Sequence, residues 1–241
     1  MGVRWILTAV LLACSAASLN AADFQTGGSG ADGAASPMPV VKFELAFPGA
    51  TPPHYTISVE STGPAAYRSD RADVETADDN AFTTKFVVSE ATRRRIFELA
   101  KKANFFKGDF EYRKNNVANT GSKTLTYQHG PHGATAAEEV YNRTTYNYST
   151  HPAIQELTDI FQKMSATLEF GNRISRAHRF DKLGLEAELK RMEQMQGSGL
   201  LLELHAIAPI LQSVASDASV LNVTRRRAQR LLKIAEAAVQ G

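Results

Sequence analysis

Cysteine is nearly missing from this sequence: Cys14 is the only one in 241 residues. No disulfide can form within the chain, so stability must come from buried apolar surface. A charge bias is missing as well. Lys plus Arg number 27 and Asp plus Glu 25, a net charge of +2. The basic footprint expected of a nucleic-acid binder is therefore lacking. No segment is apolar for the roughly 20 residues that a membrane-spanning helix needs. Motifs of known chemistry are missing too. There is no HExxH, and Gly197-Ser198-Gly199 is an incomplete match to a GxSxG elbow. Asp70, Asp73, Asp78 and Asp79 lack EF-hand spacing. His129 and His132 share one polar loop, with His151 nearby, but no cysteine ligand supports a zinc set. Glu138 and Glu139 are neighbours on a strand and point to opposite faces, so they cannot flank one glycosidic bond. No catalytic residue, metal ligand or cofactor is assigned.

What is present begins with an export signal over residues 1–22. Arg4 supplies a positive start, Trp5 to Ala13 an apolar run, and Ala16, Ala17, Ala21 and Ala22 the small residues of a cleavage region. Leu11-Leu12-Ala13-Cys14 resembles a lipobox, which would lipidate Cys14; the other reading is an ordinary signal peptide that discards it. Residues 23–39 are rich in Gly, Ala, Ser and Pro and read as a flexible linker. The formal GxGxxG match at Gly28–Gly33 has no strand before it and prolines after it, so no dinucleotide site follows.

From Val40 the pattern has period two. Val41, Phe43, Leu45 and Phe47 alternate with polar residues, as do Tyr55, Ile57 and Val59, and Phe82, Thr84, Phe86 and Val88. Shorter strands are expected at 65–69, 124–127 and 137–145. Ser89 is placed to cap a helix carrying Ile96, Leu99 and Ala103. Pro152 opens a second helix with the stripe Ile154, Leu157, Phe161, Met164 and Leu168, and Gly171 is expected to end it. Beyond it, helices are expected around Leu185–Met192, around Leu201–Val214 with a kink or restart at Pro209, and after Asn222. The fold class is α+β: an antiparallel sheet of five or six strands with two helices on one face, followed by a helical C-terminal subdomain. The domain reading is a signal over 1–22, a linker over 23–39, an α+β domain over 40–171 and a helical subdomain over 172–241.

TRRRIFELAKKANFF at 92–106, GSKTLTYQHG at 121–130, IQELTDIFQKMSATLEFGNRI at 154–174 and DKLGLEAELKRMEQM at 181–195 carry a resemblance to a family of exported bacterial α+β proteins. It spans most of the chain after Tyr55. The family has no assigned reaction, so the resemblance implies export and a helical tail and transfers no functional residue.

Two loops hold the candidate contact residues. Phe110, Tyr112, Arg113 and Lys114 lie on a long polar stretch. Tyr141, Tyr146 and Tyr148 alternate with Asn142, Arg143 and Asn147, a combination suited to sugar faces or protein contact. Arg93–Arg95 and Arg225–Arg227 lie in first helical turns and oppose the helix dipole. The expectation is a non-enzymatic envelope module, periplasmic or secreted, that binds another protein. A glycan or cell-wall binder and an unrecognised hydrolase are the alternatives. No nucleic acid is expected, and membrane contact only through the signal or a lipid on Cys14.

Overall fold

The computed structural model describes residues 38–70, 81–114, 116–130 and 140–240, the last three of these by backbone only. The signal segment, Cys14, most of the linker, Asp73, Asp78, Asp79, His132, Glu138 and Glu139 lie outside them.

Six strands form one antiparallel sheet: β1 (Val40–Ala46), β2 (His54–Glu60), β3 (Pro64–Asp70), β4 (Phe82–Val87), β5 (Ser122–His129) and β6 (Val140–Tyr146). Their order is β4-β3-β2-β1-β5-β6, so β1 to β4 make a meander and β5 returns to the free side of β1. Register places Phe43 opposite both Ile57 and Leu125. Because side chains alternate across the pleat, one face then collects Val41, Phe43, Leu45, Tyr55, Ile57, Val59, Tyr67 and Leu125, all buried. Lys42, Thr56, Ser58, Arg68, Thr83 and Lys85 take the other face.

Two helices cover the apolar face, as each strand's single apolar stripe requires. Helix α1 (Glu90–Lys102) turns Ile96, Leu99 and Ala100 inward, and the Ser89 hydroxyl caps its start. It runs into a turn where Asn104, Phe105 and Phe106 all have positive φ, from 49° to 63°. Left-handed backbone costs non-glycine residues about 1–2 kcal/mol each. The return is Phe106, wholly buried, and Phe105, whose ring lies 4.6 Å from that of Tyr127.

Helix α2 (Pro152–Phe180) has 29 residues and does not stop at Gly171. A Cβ on Gly171 would meet Ile207 Cγ2 at 2.6 Å. The glycine is there for close packing of the tail against α2, not for a left-handed turn. Gly171→Ala should therefore lose about 1 kcal/mol in a urea melt. Helix propensity favours alanine by about 1 kcal/mol, but overpacking a filled site costs about 1–3 kcal/mol.

Ser36–Gly241 cluster as one compact unit. Its helical C-terminal part comprises α3 (Lys182–Gly197), α4 (Ala208–Ser216) and α5 (Asn222–Gln240). Pro209 starts α4 rather than kinking a longer helix. Charged clamps join these helices. Arg227 bonds Glu186 at 3.0 Å and also Glu193, and Arg230 Nε donates to Glu193 at 2.7 Å. The hydrogen bond from Arg230, with Arg227 beside it, holds the Glu193 carboxyl below its usual range. A depressed carboxyl contributes stability above its unfolded value of about 4.3, and that contribution is lost as pH falls through the folded value. Glu193→Gln should lower the melting temperature at pH 7 slightly, the clamp being partly exposed, and should flatten its further fall between pH 5 and 3.

Candidate functional site

Helix α2 carries a second stripe beside its apolar one. Gln155, Thr158, Asp159 and Gln162 recur at i, i+3, i+4 and i+7 and share one face. At the helix start this face meets the end of β6 and encloses a cleft of about 350 Å³. That volume is within the range of small-ligand sites.

The cleft is built from the β6 end. Tyr146 is only 3% exposed. Its ring is in the core and its hydroxyl hydrogen-bonds Thr158 Oγ1 at 2.7 Å, so it cannot offer a face to a ligand. Tyr148, two residues on, is 40% exposed and accepts a hydrogen bond from Gln155 Nε2 at 3.2 Å. Against it stands Tyr112, edge to face at 5.8 Å, with the Tyr112 N–H donating to the Tyr148 carbonyl at 2.8 Å. Lys114 Nζ lies 5.7 Å from the Tyr112 ring. Phe110 packs edge-on against His151 at 5.2 Å. The two loops singled out in the sequence therefore come together at Phe110, Tyr112, Lys114 and Tyr148. Arg113 is turned into an exposed ion pair with Asp109. Tyr141 is 56% exposed but sits near the start of β6, roughly 17 Å along the strand from Tyr146.

Lys123 escaped the sequence reading. It shares the core-facing phase of Leu125 and Tyr127, which is the only sequence signal it carries. The residue is 4% exposed, and its ammonium donates to the Thr120 and Gly121 carbonyls, each at 3.0 Å, and to the Asn147 carbonyl at 2.7 Å. Burial pulls its pKa down, and the Glu111 carboxylate opposes that. Asn147 closes the same knot. Its N–H donates to Glu111 at 2.6 Å, and its side-chain oxygen accepts from Thr120 N–H at 2.7 Å. These bonds fix the backbone on which Tyr148 stands.

Further along α2 the face continues through Ser165, Ala166, Glu169 and Arg173 and lines a second cleft, of about 300 Å³, under the β1–β2 turn. Here Glu169 accepts from the Tyr67 hydroxyl at 2.7 Å and from Ser69 at 2.6 Å. Burial first, then the Glu169 charge, pushes the Tyr67 phenol far up, so it stays a neutral donor. Gln162 lines both clefts, so they follow one another along the same face of α2. From Gln155 to Arg173 they follow 18 residues of helix, roughly 27 Å at 1.5 Å per residue.

The two clefts offer amides, hydroxyls, two carboxylates, the cations Lys123, Arg173 and Arg191, and one exposed aromatic ring, that of Tyr148. Asp159 and Glu169 are ten residues apart on the helix, roughly 15 Å, too far to flank one scissile bond. Three histidine rings bond elsewhere, while the His151 Nδ1 is buried without a hydrogen-bond partner among the described residues. His54 bonds Asp70 and Glu44, His178 bonds Asp217, and His205 bonds the Val87 carbonyl. Among the described residues no hydroxyl reaches a histidine ring nitrogen, and no group of three His, Cys, Asp or Glu could hold a metal ion. Comparison with protein families, curated proteins and solved structures finds no match to this chain.

Proposed function

We infer that the protein is a non-enzymatic binding module of the cell envelope that holds a linear polar polymer, a glycan in the first place, along α2. The observation that supports this reading is the succession of two clefts along one face of α2, with Gln162 lining both. A row of clefts spanning roughly 27 Å suits a chain better than a single small molecule. Its chemistry suits sugar. Amides and hydroxyls both donate and accept, as sugar hydroxyls do, and the Tyr148–Tyr112 pair supplies an apolar face for a pyranose ring. The envelope setting rests on the signal-like residues 1–22, and the resemblance to exported bacterial proteins supports it.

An extended polypeptide from a partner protein is the second reading, because the same length accommodates about eight residues of strand. Tyr148→Ala combined with Gln162→Ala tests the first. Both side chains are exposed, so the melting temperature should stay within about 2 °C. Retention on purified cell-wall polysaccharide should fall at least tenfold. Unchanged retention with an intact fold rejects the glycan reading, and a protein captured by the wild type and lost in the double variant favours the second.

A further inference from the structure

The far end of the helical part is built unlike the rest of the surface. Phe180 is 84% exposed and Leu183 82%, the two most exposed large apolar residues among those described. They form the corner where α2 gives way to α3 across the single residue Asp181. Leu221 and Val223, 58% and 54% exposed, form a second corner, between α4 and α5. The corners are adjacent: His178 Nε2 is 2.9 Å from Asp217, and Lys182 Nζ donates to Ser219 Oγ at 2.5 Å. Four bulky apolar side chains therefore project from one tip.

Arginines outnumber the carboxylates around that tip, where the acids are Asp181 and Asp217. Arg176 and Arg179 stand on the last turns of α2, and Arg225 and Arg226 on the first turn of α5. None of the four has a carboxylate partner among the described residues. Many arginines elsewhere are matched, among them Arg95 with Glu156, Arg173 with Glu188, Arg227 with Glu186 and Arg230 with Glu193, while Arg93, Arg143 and Arg191 also lack a carboxylate partner among the described residues. Of the local acids, Asp181 caps α3 through the Gly184 N–H, and Asp217 is held by Ser219 and His178. Ser219 and His178 depress the Asp217 carboxyl.

We propose that this tip docks on an anionic lipid surface, with Phe180, Leu183, Leu221 and Val223 entering the headgroup layer and the unmatched arginines bonding phosphates. Charge complementarity selects that occupant. Guanidinium groups bind phosphate in pairs of hydrogen bonds, and separate bulky side chains on helix corners suit insertion between lipids better than a flat protein interface. This contact is peripheral, since no described helix is long and apolar enough to cross a membrane. It is also independent of the clefts on α2.

The test is co-sedimentation of the full chain with vesicles of phosphatidylglycerol and phosphatidylcholine, against vesicles of phosphatidylcholine alone. Residues 1–22 are common to all variants and cancel in the comparison. The expected result is at least tenfold tighter binding to the anionic vesicles at 0.1 M salt, largely lost at 0.5 M. Phe180→Ser with Leu183→Ser, and separately Arg179→Glu with Arg226→Glu, should each remove at least tenfold of it without changing the melting temperature. Equal binding to both vesicle types overturns the proposal, as does a preference that survives both double variants. A lipid-free dimer that the Phe180→Ser/Leu183→Ser variant abolishes also overturns it, and assigns the tip to a second copy.

Discussion

Glu203→Ala should lower unfolding free energy by about 3 kcal/mol, seen as a drop in melting temperature of roughly 6–12 °C for a unit of this size. Glu203 lies in the C-terminal part, only 8% exposed, and its carboxylate caps the start of α1. It accepts from the Ser89 N–H and the Ser89 hydroxyl, both at 2.7 Å, and from the Thr92 hydroxyl at 2.5 Å. A carboxylate at a helix N-terminus also meets the positive end of the dipole. Truncation leaves those partly buried donors without a charged acceptor, and each costs about 1 kcal/mol. Backbone strain is a separate contribution, since Glu203 has φ 61°. Alanine keeps that strain and glycine relieves it. Glu203→Gly should therefore be about 1 kcal/mol more stable than Glu203→Ala. Equal losses in the two variants would show that the strain carries no cost. A loss below about 1 kcal/mol in both would remove the cap from the account of stability.

Phe161→Ala should cost about 4 kcal/mol. Phe161 on α2 and Phe43 in the middle of β1 are both fully buried, with ring centroids 5.2 Å apart and planes 1° from parallel. This pair is where the sheet and its longest helix interlock. Removing one ring loses its transfer energy, leaves a cavity walled by close-packed neighbours, and forfeits the stacking. Phe161→Leu retains most of the volume and should lose about 1–2 kcal/mol. In urea the midpoint should shift with an unchanged slope. A changed slope would mean that the sheet and helices no longer unfold together.

Much of this architecture is legible in the sequence, for a definite reason. Val41, Phe43 and Leu45 alternate because one side of β1 is buried, and alternation reports burial directly. The same holds for β2 and the inward stripe of α2, while the alternation of β4 marks a half-buried side. Alternation says nothing about which strand is a neighbour, so the return of β5 to β1 could not be read. Gly171 misled because a glycine in a helical pattern looks the same whether it ends the helix or admits Ile207, which is 36 residues away in sequence. Glu203 carries one faint signal, a charge within the run Leu200–Leu204. The first cleft was half legible. Tyr112, Lys114 and Tyr148 stood out as aromatic and polar loop residues, but their meeting depends on the Lys123–Asn147 knot. Tyr146 was misjudged because its register opposite Lys123 puts it on the core face.

The cap on α1 also has a consequence in time. Ser89 and Glu203 are separated by 114 residues. At roughly 5–20 residues per second, a ribosome delivers the carboxylate about 6–23 s after the helix it completes. A nascent chain can therefore contain every described strand of the sheet and still have an unfinished α1 start, with the Ser89 N–H and the Ser89 and Thr92 hydroxyls lacking the Glu203 carboxylate. The start of α1 is therefore completed only once the segment carrying Glu203 has been made.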